Sequence, residues 1–279
     1  MIVFPNAKIN LGLNICRRRP DGYHDIATVM TPIGWRDTLE IVPADDSVTR
    51  LQVLGHAIEC PPEKNLVMKA YRALCSEYPL PPVHIYLYKN IPDGAGLGGG
   101  SADASFTLRC LNSLFDLGIT DDNLARIAAT LGADCPFFIY NRPMLATGTG
   151  IELADIDIDF DHYGLLVVKV PGTAVSTAMA YSQITPHIPD RELSQDLTSL
   201  PVSDWSKYVV NDFEPVIFAL QPRVRQLKEQ LLAAGASYAA MSGSGSAVFG
   251  IFGSVEEATS AADMFCGCDK WAGPLSNHF

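Results

Sequence analysis

Pro92-Asp93-Gly94-Ala95-Gly96-Leu97-Gly98-Gly99-Gly100-Ser101-Ala102 is the stretch whose reading decides the fold. Before it, Val83, Ile85 and Leu87 fall on one face of a strand over Val83–Lys89. After it, Ala104, Leu108, Leu111 and Phe115 recur at helical spacing, which predicts a helix over Ser101–Phe115. Strand, glycine loop and helix is the order a phosphate-binding loop requires. Gly94, Gly96, Gly98, Gly99 and Gly100 let the backbone approach a ligand and adopt positive φ. The helix start adds unpaired N–H groups and the positive end of its dipole. A plain connecting turn needs one or two glycines, and five cost folding entropy without a use.

Two familiar phosphate loops do not fit. Gly94-x-Gly96-x-x-Gly99 matches the dinucleotide fingerprint, but a Rossmann unit needs a second parallel strand with an acidic end ~20 residues on. The residues after this loop read as helix, loop and helix, with Asp121–Leu131 capped by Thr120 and closed by Gly132. A Walker loop is excluded because the chain has no Gly-Lys dipeptide.

Working outward, Val3–Cys16 reads as a strand, with Ala7, Ile9, Leu11, Leu13 and Ile15 alternating against Lys8, Asn10, Gly12 and Asn14. Thr38–Val42 and Val48–Leu54 are short strands, and Leu66–Glu77 is a helix ended by Pro79, Pro81 and Pro82. An apolar strand spans Leu165–Val170, a helix Pro222–Ala234, and a second small-residue loop Met241–Ala247 leads into strand Val248–Phe252. The segment Gly267–Phe279 carries no motif.

At 279 residues, two domains are expected, with a boundary near the acidic stretch Asp155–Asp161: residues 1–160 and 161–279. The composition, 48% hydrophobic and 18% charged, is that of a globular protein. No apolar run reaches the ~18–20 residues that span a bilayer, and the first residues lack a secretory pattern. The expectation is a cytoplasmic protein with no membrane partner. A net charge of −11 argues against nucleic-acid binding but leaves small anionic substrates open. Cys16, Cys60, Cys75, Cys110, Cys135, Cys266 and Cys268 form no C-x-x-C pair and are expected as reduced thiols.

Pro5-Asn6-Ala7-Lys8-Ile9-Asn10-Leu11, the Pro92–Ala104 loop and Ser242-Gly243-Ser244-Gly245-Ser246 stand in the order of the GHMP kinase superfamily, which this chain resembles. Asp21-Gly22-Tyr23-His24, Leu131–Phe137 and Pro171-Gly172-x-x-x-Ser176-Thr177 extend the likeness to the family of kinases acting on 4-diphosphocytidyl-2-C-methyl-D-erythritol (CDP-methylerythritol). The resemblance implies an α+β fold, with an N-terminal domain like ribosomal protein S5 domain 2 and a ferredoxin-like C-terminal domain. It also implies transfer of the ATP γ-phosphate to the 2-hydroxyl of that small molecule in the non-mevalonate isoprenoid pathway, with Mg²⁺ accompanying ATP. Other GHMP kinases, of the homoserine or mevalonate type, and a non-catalytic nucleotide or sugar sensor are the competing readings.

By that resemblance Asp134 is the base that takes the hydroxyl proton; its plainer reading is the cap of a helix starting at Cys135-Pro136. Lys8 is placed beside the catalytic Asp, where its charge stabilises the transferring phosphate, although alternation alone makes Lys8 and Asn10 an ordinary solvated face. Asn10 holds the substrate hydroxyl or Lys8. Residues 92–102 bind ATP, joined by Asn65, which also reads as an N-cap before Leu66. Tyr23, His24 and Tyr181 are implied cytidine readers; Tyr23 otherwise belongs to a turn and Tyr181 to a core. Gly243 lets the second loop approach the ligand, or simply makes a tight turn. Asp103 suits the first turn of a helix by its charge, and near ATP phosphates it would need Mg²⁺ between; no metal ligand is assigned.

Overall fold

The computed structural model describes residues 1–57, 60–173 and 175–276. Residue 174, a variable position of the Pro171–Thr177 signature, and the last three residues lie outside them. The strands are β1 (Ile2–Val3), β2 (Asn6–Arg18), β3 (His24–Arg36), β4 (Thr38–Pro43), β5 (Arg50–Gly55), β6 (Val83–Lys89), β7 (Met144–Thr147), β8 (Glu152–Asp155), β9 (Gly164–Lys169), β10 (Tyr238–Met241), β11 (Val248–Phe252) and β12 (Asp269–Pro274). The α-helices are α1 (Leu66–Cys75), α2 (Gly99–Leu114), α3 (Asp121–Ala129), α4 (Cys135–Tyr140), α5 (Thr177–Ser182), α6 (Leu193–Ser199), α7 (Trp205–Tyr208), α8 (Glu214–Leu220), α9 (Pro222–Ala233) and α10 (Val255–Ala262).

The chain divides into two compact units. The first comprises Met1–Ala7, Trp35–Asp93 and Gly98–Asn141. Its sheet has the order β1-β4-β6-β5, antiparallel except for the parallel β5–β6 pair. A parallel neighbour needs a crossover, and α1 provides it. The alternation read from Val83–Lys89 holds: Val83, Ile85 and Leu87 are buried with Leu39 and Ile41 against Val67, Ala70 and Leu74 of α1 and Ala104, Leu108 and Leu111 of α2. That core fixes where β6 ends and α2 begins, and so where the glycine loop is mounted.

The second unit comprises Lys8–Gly34, Gly94–Leu97 and Arg142–Phe279. It contains the antiparallel sheet β10-β11-β9-β12. In chain order this is strand, helices, two strands, helix, strand with the spatial order 2-3-1-4, the split β-α-β plan of ferredoxin-like domains. Every residue of β9, β10 and β11 is buried. Burial on both faces makes Leu165, Leu166, Val167 and Val168 read as a continuous apolar run. The other sheet follows β2-β3-β7-β8.

Several elements depart from the pattern reading. Val3–Cys16 is not one strand: Pro5 interrupts it after β1, and β2 runs on to Arg18. The 13-residue β3 is unannounced by the sequence, because Pro32 and Gly34 read as breakers. β7 pairs only with Thr28–Met30, so neither residue owes β7 a hydrogen bond. Thr120 takes the N-cap place of α3, but its side chain makes no capping bond. All seven cysteines are free.

Candidate functional site

In the first unit, Gly98 caps α2 with φ +70, and Ala102 N–H to Gly98 O (2.9 Å) is the first helical bond. The N–H groups of Gly99, Gly100 and Ser101 precede it and are ones the helix cannot satisfy itself. Gly94 and Gly96, which belong to the second unit, also take positive φ. Gly99 has a packing reason: a Cβ there would meet Ile91 Cγ2 at 3.1 Å and Lys89 Nζ at 3.2 Å. Gly100 has none, since its nearest neighbour would be Leu66 Cδ1 at 3.8 Å, ordinary contact. Its bare backbone is what an approaching anion requires.

Asp134 precedes α4 with helical backbone angles (φ −81°, ψ −13°) and its side chain makes no capping bond. The cap reading is therefore corrected, because a capping residue adopts extended φ/ψ to turn its oxygen back on the helix. Asp134 is tied to α2 through its neighbour: Ser105 Oγ donates to Cys135 O at 2.7 Å. Burial pushes the Cys135 thiol up to about 11. Asn65 does cap α1, its Oδ1 accepting Val67 N–H at 2.9 Å.

In the second unit, Lys8 and Asn10 are each only 3% exposed, so the solvated-face reading is wrong for both. Lys8 Nζ donates to Asn10 Oδ1 at 2.5 Å and to Gly96 O at 3.0 Å. Asn10 Nδ2 donates to Thr28 Oγ1 on β3, which donates in turn to Gly12 O. Ser242 Oγ donates to Gly96 O at 2.9 Å and accepts Asn10 N–H at 3.3 Å. A Cβ on Gly96 would sit 2.1 Å from Ser242 O. The tip of the first loop and the start of the second thus share one network with Lys8.

The second loop is tied down further. Asn211 Nδ2 donates to Met241 O and Gly243 O, Glu214 Oε1 accepts Met241 N–H, and Ser246 and Ser244 bond Thr173 and Thr177 of the Pro171–Thr177 signature. Gly243 has φ +57, and a Cβ there would lie 3.3 Å from Asn10 Oδ1. Thr28, Asn211 and Glu214 were not singled out by sequence reasoning, and Ser242 was named only as the start of its motif; for Asn211 and Glu214 the available signal was the run Asn211-Asp212-Phe213-Glu214, which has no period of its own.

His24 and Tyr181 stack, with ring centroids 4.9 Å apart and planes at 19°, and Tyr181 meets Phe213 edge-on. Those two rings already touch, which leaves no space for a third ring between them. Tyr23 is 67% exposed, on a turn where Asp21 Oδ1 accepts its N–H. Burial and the Arg18 charge hold the His24 imidazole below its ordinary pKa. Lys8, Asn10, Tyr23, His24, Tyr181 and Gly243 fall in the second unit; Asp134, Asn65, Pro92, Asp93 and Gly98–Ala102 fall in the first.

No Mg²⁺ ligand emerges from the loop's acidic neighbour. Asp103 is 2% exposed and its Oδ2 bonds Lys89 at 2.7 Å, an enclosed setting unsuited to an ion that keeps several waters. Asp45, Asp46 and His84 lie close together, but Arg50 already pairs with Asp46 at 2.6 Å.

The family models for the N-terminal and C-terminal domains of GHMP kinases match residues 65–142 and 191–267. A curated relative from Parabacteroides distasonis, a 4-diphosphocytidyl-2-C-methyl-D-erythritol kinase, is 50% identical over 99% of this chain and 100% of its own. A crystal structure of a 4-(cytidine 5'-diphospho)-2C-methyl-D-erythritol kinase superposes with TM-score 0.84 at 33% identity, covering 99% of both chains. A homoserine kinase from Cytophaga hutchinsonii reaches TM-score 0.71 at 18% identity over 98% of this chain and 95% of its own, a likeness of fold alone. The chain belongs to the GHMP kinases and, within them, to the 4-diphosphocytidyl-2-C-methyl-D-erythritol kinase family.

Proposed function

We propose that this protein transfers the γ-phosphate of ATP to the 2-hydroxyl of CDP-methylerythritol in the cytoplasm. Full-length membership in that kinase family carries the reading. The site residues support it. The N–H groups of Gly99, Gly100 and Ser101 and the dipole of α2 bind the ATP phosphates, with the rest of the Pro92–Ala102 loop around them. Asn65, capping α1 beside Leu66, adds a contact to the nucleotide. Tyr23 offers an open aromatic face to the cytosine. His24, neutral at pH 7, presents one donor and one acceptor nitrogen to its edge, with Tyr181 behind it. Gly243 brings the second loop's backbone to the substrate.

In the chemical step the 2-hydroxyl oxygen forms a bond to Pγ as the bond from Pγ to the β,γ-bridging oxygen breaks and ADP leaves. Asp134 takes the hydroxyl proton, and Lys8, aimed by Asn10 and Gly96 O, offsets the charge on the transferring group. Mg²⁺ accompanying ATP would supply neutralisation of part of the phosphate charge; no side chain is assigned to it. The boundary between the ATP-binding and C-terminal domains is placed at 160/161, inside the interval between the two family matches.

The test is ADP release with Mg-ATP and, separately, CDP-methylerythritol, mevalonate and homoserine. Turnover is expected with the first acceptor alone. Turnover on another acceptor with none on CDP-methylerythritol would overturn the reading, and nucleotide binding without turnover on any would favour a sensor.

A further inference from the structure

We infer that Lys89, Asp37 and Asp103 form a positioning cluster that sets the phosphate-binding turn of α2 against the end of β6. None of the three is placed in contact with substrate, and the inference rests on the reading that this turn binds ATP phosphates. Lys89 is the last residue of β6 and is 3% exposed. Its ammonium bonds Oδ2 of Asp37 and, at 2.7 Å, Oδ2 of Asp103 on α2. The other Asp37 oxygen accepts the N–H groups of Asn90 (2.6 Å) and Ile91 (2.8 Å), the first two residues after the strand. The stem entering the glycine loop and the helix leaving it are therefore fastened to the same cluster, and residues 92–98 run between the fastened points.

The cluster also reaches the turn directly. Lys89 Nζ lies 3.2 Å from where a Gly99 Cβ would be, so the cation sits immediately under the first helical residue. Stability is a poor explanation for this arrangement. A buried ammonium and two buried carboxyl groups incur a desolvation cost that well-packed apolar side chains of similar volume avoid. Asp103 Oδ1 is buried without a hydrogen-bond partner, a further cost the fold retains. A cluster that is expensive to bury and attached to both stems of one loop serves the geometry of that loop.

Binding of the magnesium complex of the non-hydrolysable ATP analogue AMP-PNP, measured by calorimetry, tests the inference apart from the acceptor. The double variant Lys89→Met/Asp103→Leu removes the Lys89–Asp103 pair but leaves the buried Asp37 carboxylate without its cation, so its thermal midpoint is expected to fall below the parent's. Its dissociation constant for the nucleotide should rise about 10-fold, while KM for CDP-methylerythritol moves less than about 2-fold. Asp103→Asn, which leaves an oxygen for Lys89, should stay within about 3-fold of the parent. Asp37→Asn, the second variant if the double one does not fold, should weaken binding about 5-fold because its oxygen loses the charge holding Asn90 and Ile91. Parent-like affinity in whichever of these two folds would overturn the inference, as would equal weakening of nucleotide and acceptor. A parent protein that binds no nucleotide would instead remove the function reading itself.

Discussion

Gly96 and Gly100 stand four residues apart in one loop and are glycine for different reasons. Gly96 has φ +74 and no room, with Ser242 O 2.1 Å from a built Cβ. Gly96→Ala should lose about 3 kcal/mol of stability through left-handed strain and overpacking, read as a lower urea midpoint. Gly100 has room, so Gly100→Ala should keep or gain up to about 1 kcal/mol while raising KM for ATP several-fold, because the methyl stands where phosphate approaches. The two variants separate the structural from the ligand-facing use of glycine. Asp134→Asn should lower kcat by about 100- to 10,000-fold, the range for loss of a general base, with an unchanged circular dichroism spectrum. A near-parental rate would leave Asp134 without a chemical role. Only the family resemblance singled out Lys8 and Asp134, and the environment of Lys8 was not legible: alternation cannot distinguish a polar face turned to water from one buried against Gly96 and Ser242.

At the scale of elements, α2 was readable because its apolar residues recur at helical spacing, whereas β3 was hidden by Pro32 and Gly34. The cluster under α2 was also hidden, since Asp37, Lys89 and Asp103 are joined by the β4–β6 pairing and the α2 packing rather than by sequence proximity. Its protonation is measurable. Burial raises the Asp103 carboxyl from 3.8 to about 7, against the pull of Lys89 and with help from Asp37; burial lowers the Lys89 pKa, but the two carboxylates outweigh it and raise it. Below about pH 4 folded and unfolded chains both carry the Asp103 proton, and its contribution to stability is full. Between about 4 and 7 only the folded chain holds it, so stability from this group falls as pH rises, levelling off above 7. Asp103→Asn should lack that slope. Urea midpoints of parent and variant across about pH 5 to 8 measure it, and parallel curves would contradict it.

For the whole molecule, the glycine loop and the motif order were sufficient to read an α+β GHMP kinase, and the ferredoxin-like order of β9–β12 agrees. The pattern did not reveal that the compact units interleave along the chain. Lys8–Gly34 and Gly94–Leu97 pack with the C-terminal half because Lys8, Asn10 and Gly96 bond to one another and to Ser242, contacts between residues up to 232 positions apart. On the proposed reading, substrate choice depends on the complete chain, since Tyr23, His24 and Tyr181 lie outside the glycine loop. The most direct measurement compares ADP release on CDP-methylerythritol with that on the same molecule lacking its 2-hydroxyl. The account predicts one ADP per phosphorylated product with the first acceptor and only background hydrolysis with the second. Equal turnover on both would contradict it.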